Sequence, residues 1–208
     1  MESPQRTCRF FTGDSCQNRK AGNLLPELTQ KVSLFLLLLR IDQDLANHVK
    51  QGKCPVCGGP LHYSNYPRKP RGGPDNIPDE CLVMLSLCCG REECRKRARP
   101  ASCRFIGRKV YWHGIILLVM ALKQQRPEGP SINKLMKMFE IGSRNTILKW
   151  LQYYRDIFPT SPQWQRIRGQ IVASVRDSEL PGELLNYFFR QSKTKDIGLV
   201  SCLKLLAT

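Results

Sequence analysis

No stretch of this sequence is apolar enough to cross a bilayer: the longest runs, Leu34–Leu39 and Ile115–Leu122, are six and eight residues, against about 20 for a spanning helix. Both read as parts of buried helices. Acidic residues are scarce as well, 17 Asp plus Glu against 33 Lys plus Arg, which leaves a formal charge of +16. Such an imbalance points to a polyanionic partner. The opening residues, MESPQRTCRFF, lack the basic start, apolar stretch and cleavage site of a secretory signal, so the expected place is the cytoplasm, at the nucleoid. Thiols stay reduced there, and the ten cysteines read as metal ligands or buried side chains rather than as disulfides. There is no internal repeat and no low-complexity tract. With 41% apolar residues, a real core is expected and wholesale disorder is excluded.

Residues 1–22 are polar, carry Cys8 and Cys16, and read as a loose arm. An amphipathic leucine-rich helix is expected over 23–51, with Asn23 as cap, Pro26 and Glu27 in the first turn, and Leu25, Leu28, Val32, Phe35 and Leu39 on one face. Its Leu34–Leu39 stretch is apolar nearly all round, so it is either sunk in the core or shared with a second copy in a homodimer through helix 24–49. Gly and Pro concentrate between Gly58 and Pro78, which excludes long helices there. The stretch from Cys81 to Cys89 (CLVMLSLCC) reads as one strand. After Pro159 an amphipathic helix is expected through Trp164, Ile167, Ile171 and Val175. A shorter one follows Pro181, with Leu184, Leu185, Phe188 and Phe189.

The cysteines carry the most specific signal. Cys54 and Cys57 stand in CPVCGG, a two-residue-spaced knuckle whose glycines allow a tight turn, and CGREEC supplies Cys89 and Cys94 downstream. Cys88 is the alternate to Cys89. Neighbouring strand residues face opposite ways, so only one of the two can turn to the metal, and Cys89 gives the tighter turn. Four thiolates from two turns describe one structural zinc ion per chain, with no open coordination position. The other five, Cys8, Cys16, Cys81, Cys103 and Cys202, read as isolated thiols, and His62 as a loop residue.

Between Arg91 and Lys109 the chain holds eight basic and two acidic residues. Arg95, Lys96, Arg97, Arg99, Arg104, Arg108 and Lys109 are the expected phosphate contacts of this basic connector. Beyond it, Val110–Gln124, Ser131–Phe139 and Ser143–Phe158 read as helices, the last two joined by only Glu140, Ile141 and Gly142. That geometry is a helix-turn-helix. Ser143 is placed to cap the second helix, Ile147, Trp150, Leu151 and Tyr154 form its inner face, and Arg144, Asn145, Leu148, Lys149 and Gln152 lie mostly outward. Arg144 and Asn145 have the donor geometry for guanine and adenine edges, while Lys149 and Arg155 suit phosphates. The expected fold is therefore mainly α with a small β zinc ribbon over 52–109, a helix-turn-helix three-helix bundle over 110–158, and a C-terminal helical extension and tail over 159–208.

The order CPVCGG, LSLCCGREECRKR, RFIGRKVYW and ILKWLQYYRDIFP resembles the DNA-recognition front end of bacterial insertion-sequence transposases and their small accessory proteins. It is also similar to an uncharacterised transposase-like bacterial family with a tail like PTSPQWQRIRG and ELPGELLNYF. The resemblance covers Lys53 to Phe189. It implies metal binding by Cys54, Cys57, Cys89 and Cys94, contact with element ends by the helix from Ser143, and a transposase as partner. One departure counts against catalysis. Such transposases add a domain in which three carboxylates hold two metal ions, whereas only 50 residues follow Phe158, and Asp177, Glu179, Glu183 and Asp196 lie on helices or loops. The expectation is thus a double-stranded DNA binder that is not an enzyme. The rivals are an RNA-binding or protein-interaction ribbon, disfavoured because Leu82–Leu87 offers no aromatic residue to stack on bases, and a nuclease or abbreviated transposase.

Overall fold

The computed structural model describes residues 26–125, 129–171 and 175–207. The arm with Cys8 and Cys16, and the capping residue Asn23, lie outside them. The chain is mainly helical, with a small antiparallel sheet near its middle. Helix α1 spans Val32–Gln51. It starts later than its periodicity predicts, because the chain makes a separate turn at Pro26–Thr29, closed by the Thr29 hydroxyl on the Pro26 carbonyl at 2.7 Å, and leaves it through an extended Lys31. Its buried stripe is Leu34, Phe35, Leu38, Leu39, Asp42 and Ala46. Within the leucine run, Leu34, Phe35, Leu38 and Leu39 are thus buried in the chain, Leu36 is half-buried and Leu37 exposed.

Strands β1 (Leu61–Tyr63), β4 (Leu87–Cys89) and β5 (Arg97–Ala98) form one antiparallel sheet in the order β1-β4-β5, and β2 (Tyr66–Pro67) pairs with β3 (Val83–Met84) in a second. The single strand expected over Cys81–Cys89 is therefore divided. Asp79–Leu82 is a 3-10 turn, and the break between β3 and β4 falls at the buried Ser86, whose amide is held by the Asn65 side chain at 3.0 Å and whose carbonyl takes the Ser64 amide at 2.8 Å. A run of apolar side chains says that a segment is buried, not that it stays in one sheet.

Helix α2 (His113–Gln124) is the centre of the molecule, with every residue from Ile115 to Leu122 buried. A helix apolar on all sides must be covered on all sides. Its cover comes from α4 (Arg144–Gln152), α6 (Gly182–Gln191) and α7 (Lys195–Leu205), with α6 and α7 forming a hairpin that also reaches α1. The last helix was not legible as such, since its apolar residues do not keep to one side. Helices α3 (Ile132–Met138) and α5 (Pro162–Arg168) complete the set, α5 capped by the Ser161 hydroxyl accepting from the Trp164 amide. Trp112, just before α2, stacks on Phe105 at 5.2 Å and meets Phe35 of α1 at 4.6 Å. The loop at Gly72 and Gly73 (φ 71° and 94°) runs so close beneath that an added Cβ would stand 2.6 Å from Ile115 and 2.9 Å from Trp112, a fit open only to glycine.

The basic connector is tied into this core by one residue expected on its surface. Arg104 is internal: its Nε meets the Asp42 carboxylate at 2.8 Å, with side-chain exposures of 0% and 2%. Its other nitrogens donate to the Cys81 and Val83 carbonyls at 2.7 and 3.1 Å. Asp42 also accepts from the Ser102 hydroxyl and the Cys103 amide, both at 2.6 Å. Burial, with the Asp42 charge adding to it, pushes the Cys103 thiol up to about 12.

Candidate metal centre and nucleic-acid interface

The first knuckle closes because the Gly58 amide returns to the Cys54 carbonyl at 2.8 Å while the Cys54 amide reaches the Gly59 carbonyl at 2.9 Å. Gly58 takes a left-handed φ of 66° to do so. In the second, β4 delivers Cys89, whose amide bonds the Lys96 carbonyl at 2.9 Å, and the chain turns so that the amides of Cys94 and Arg95 both meet the Arg91 carbonyl, at 3.1 and 3.0 Å. Register between β1 and β4 sets Leu61 opposite Cys89, and the Arg91 guanidinium crosses to the Cys57 carbonyl at 3.0 Å. The two turns are thus bound to each other by backbone as well as by cysteine.

The sulfurs of Cys54, Cys57, Cys89 and Cys94 all lie within 4.8 Å of one another, so the four can hold a metal ion. Cys54 and Cys94 are 3.8 Å apart, Cys57 and Cys89 3.5 Å. A metal–sulfur bond of about 2.3 Å in a tetrahedron requires sulfurs about 3.8 Å apart, and the donor set fits that figure. Cys88 is on the other face of β4, across from His62 and Arg97, with its thiol on the Arg95 carbonyl at 3.4 Å. The amides of Cys57 and Val56 hold Cys54 down at about 7. Cys89 also meets an amide that lowers it, that of Arg91, but burial and the neighbouring thiols outweigh it and push Cys89 up to about 12. Four sulfurs this close cannot all ionise without a cation among them. Around them the apolar packing is thin, with Leu61 and Leu87 buried and Val49 and Ala98 at the edge, in a cluster separate from the main core.

The expected cations occupy three kinds of position. Arg95, Lys96, Arg97, Arg99 and Arg108 are exposed. Arg97 lies over the Tyr66 ring at 5.9 Å and reaches the Ser86 and Ser64 hydroxyls at 3.5 Å. Lys109 is half-buried with its ammonium 4.5 Å from the Tyr153 ring, and burial lowers its pKa. Arg104, as described, points inward, which removes it from the phosphate set.

On α4 and the turn after it the sides fall as the spacing predicts: Ile147, Trp150 and Tyr154 are buried, Leu151 is half-buried, and Arg144, Asn145, Leu148, Lys149 and Gln152 are exposed. Two details differ. The Ser143 side chain makes no capping bond, the Thr146 amide meeting the Ser143 carbonyl instead at 3.1 Å. The turn also holds a left-handed residue that the spacing does not indicate, Glu140 (φ 52°). After Gln152 the helix widens into one π-helical turn over Tyr153–Ile157. There Arg155 pairs with Asp156 at 2.7 Å, and their mutual hydrogen bond raises the pKa of Arg155 and lowers that of Asp156.

Sequence reasoning missed the residues that join connector and helices. Arg68 donates to the Gly107 and Lys109 carbonyls at 2.9 and 2.8 Å. The Tyr111 hydroxyl accepts from the Gly142 amide in the turn at 3.3 Å, and its ring meets Trp150 edge-on at 5.2 Å. Asp42 did carry a signal, because it continues the stripe of Leu38 and Leu39 and an acid on an apolar stripe needs a buried partner.

The acids of the C-terminal region each face a cation of their own: Asp177 with Arg168, Glu179 with Arg176, Glu183 with Arg190, and Asp196 with Lys31. Among the described residues no helix is long and apolar enough to cross a membrane. No protein-family model, curated protein or solved structure matches the chain.

Proposed function

We propose that this chain is a zinc-containing protein that binds duplex DNA without cutting it, its sheet and knuckles acting as a zinc ribbon and α3–α4 as a helix-turn-helix. The observation that carries the reading is the division of α4. Its inner side is closed by Ile147 and Trp150, while its outer side offers Arg144, Asn145, Lys149 and Gln152 together, groups suited to base edges and phosphates, in a chain of charge +16.

An all-sulfur, tetrahedral donor set favours zinc over harder ions. Four protein ligands leave no position for substrate, so the ion would supply folding energy, about 10–16 kcal/mol in peptides of this kind, where the local apolar cluster is too small to do so. The separate pairing of Asp177, Glu179, Glu183 and Asp196 supports binding rather than cutting, since a metal-pair nuclease needs its carboxylates convergent. Association with a mobile element, as accessory or regulatory factor beside a transposase, rests on the sequence resemblance.

A second reading has one observation in its favour. His62 and Arg97 stand in a row across the outer face of β1-β4-β5, with the half-buried Tyr66 ring under the Arg97 guanidinium, a small surface on which single-stranded RNA could stack. Competition between duplex DNA and single-stranded RNA at fixed salt decides between them. On the main reading the duplex wins, its affinity falls steeply with salt, and Arg144→Ala costs about 1–3 kcal/mol while relaxing preference at one base pair. Preferential binding of RNA, or indifference to duplex at low salt, would remove the proposal.

A further inference from the structure

The outer side of α4 holds one residue that neither the fold nor the polar contacts use. Leu148 is 42% exposed and lies one turn after Arg144, one turn before Gln152, with Lys149 beside it. At about 100° per residue, Leu148 stands roughly 40° around the axis from Arg144 and 40° from Gln152, inside the polar sector. The inner side is already complete without it, with Ile147 and Trp150 buried. The exposed surface of the helix therefore reads, along its axis, as guanidinium and amide, then an isobutyl group, then ammonium and amide.

Resting on the duplex-binding reading, we infer that Leu148 is a specificity residue whose side chain meets a thymine 5-methyl group in the major groove. The groove wall offers one apolar group, and it belongs to thymine. Arg144 and Lys149 on either side suit the flanking phosphates or guanine edges, so the helix presents its apolar atom where the charges around it favour the polyanion. An apolar protein surface covering Leu148 would have to bury those two cations without partners, which is costly.

The test separates this inference from the reading beneath it. Duplexes are selected from a random pool with the full-length, zinc-loaded protein, and each thymine of the selected site is then replaced singly by uracil, which differs only in lacking the methyl group. The wild-type protein should lose about fourfold in affinity at one or two positions, the factor for one methyl-sized apolar contact. Leu148→Ala and Leu148→Gln, which touch no core position and should melt with wild type, should bind thymine and uracil duplexes equally at those positions. Selective binding with no uracil-sensitive position, or sensitivity retained in both variants, overturns the role of Leu148 while leaving DNA binding intact. Loss of self-association in the variants, seen by sedimentation with thymine preference unchanged, also overturns it, assigning the residue to a contact between copies. Failure of the wild type to bind any duplex ends the underlying reading itself.

Discussion

Substitution of Arg104 by Met separates two roles that the sequence alone cannot. The methionine keeps most of the stem volume, so the change removes the guanidinium without opening a large cavity. What it leaves is a carboxylate, Asp42, almost wholly out of water, still held by the Ser102 hydroxyl and the Cys103 amide, and two backbone carbonyls without donors. Removing one member of a buried pair costs about 3–5 kcal/mol, and the two remaining donors to Asp42 set the lower end. Urea unfolding at constant excess zinc measures it, with Arg108→Ala as the surface control. We expect Arg104→Met to lose about 3 kcal/mol and to leave the salt dependence of DNA affinity unchanged. Arg108→Ala should do the reverse, keeping its stability and lowering the slope by about 0.9. In Asp42→Asn the Arg104→Met change should cost less than in wild type, because the two groups are coupled. A stability loss under about 0.5 kcal/mol together with a reduced salt slope would show that Arg104 contacts phosphate and that the buried pair does not form.

The remaining predictions concern metal, acid and backbone. One zinc ion per chain should be found by metal analysis, and Cys57→Ser should unfold the sheet around the knuckles while Cys88→Ser leaves metal content unchanged; equal metal in both variants would refute the assignment. His113 is buried with both ring nitrogens unpartnered among the described residues, and burial, aided by the Lys109 charge, holds its pKa down from 6.5 to about 4. The folded state thus refuses a proton that the unfolded state accepts, so stability from this residue is complete above about pH 6.5 and about 3 kcal/mol of it is lost as pH falls to 4. Relative to wild type, His113→Phe should gain that amount across the same window, and a difference constant with pH would disprove the neutral buried imidazole. Glu140→Gly, which relieves a left-handed φ at a non-glycine, should raise stability by about 0.5–1 kcal/mol in thermal unfolding, and a lower melting temperature would contradict the turn geometry.

Local spacing was sufficient where a feature depends on near neighbours. The division of α4 into Ile147–Trp150–Tyr154 and Arg144–Asn145–Lys149 follows from helical period, and the selection of Cys89 over Cys88 follows from the alternation of a strand plus the shorter turn to Cys94. What was not legible depends on distant partners. Arg104 stands in a run of cations and is indistinguishable from them until Asp42, 62 positions earlier, is known to share its cavity. The division of Cys81–Cys89 between two sheets is set by Asn65 and Ser64 acting on Ser86, and α7 is held by its hairpin partner α6, with α1 and α2 behind, rather than by a stripe of its own. Asn23 and the arm before it lie outside the described residues.

The all-round burial of α2 has a practical corollary for anyone trimming this protein to a minimal fragment. A fragment ending at Phe158 keeps both knuckles, the connector and α4, yet it strips the α6–α7 hairpin from one flank of an oily rod and leaves that flank in water. Such a piece should clump on expression, and a negative binding result from it would say nothing about the intact chain. Helices α6 and α7 are a lid on the hydrophobic interior of the part in front of them, and the two stand or fall as one folding unit.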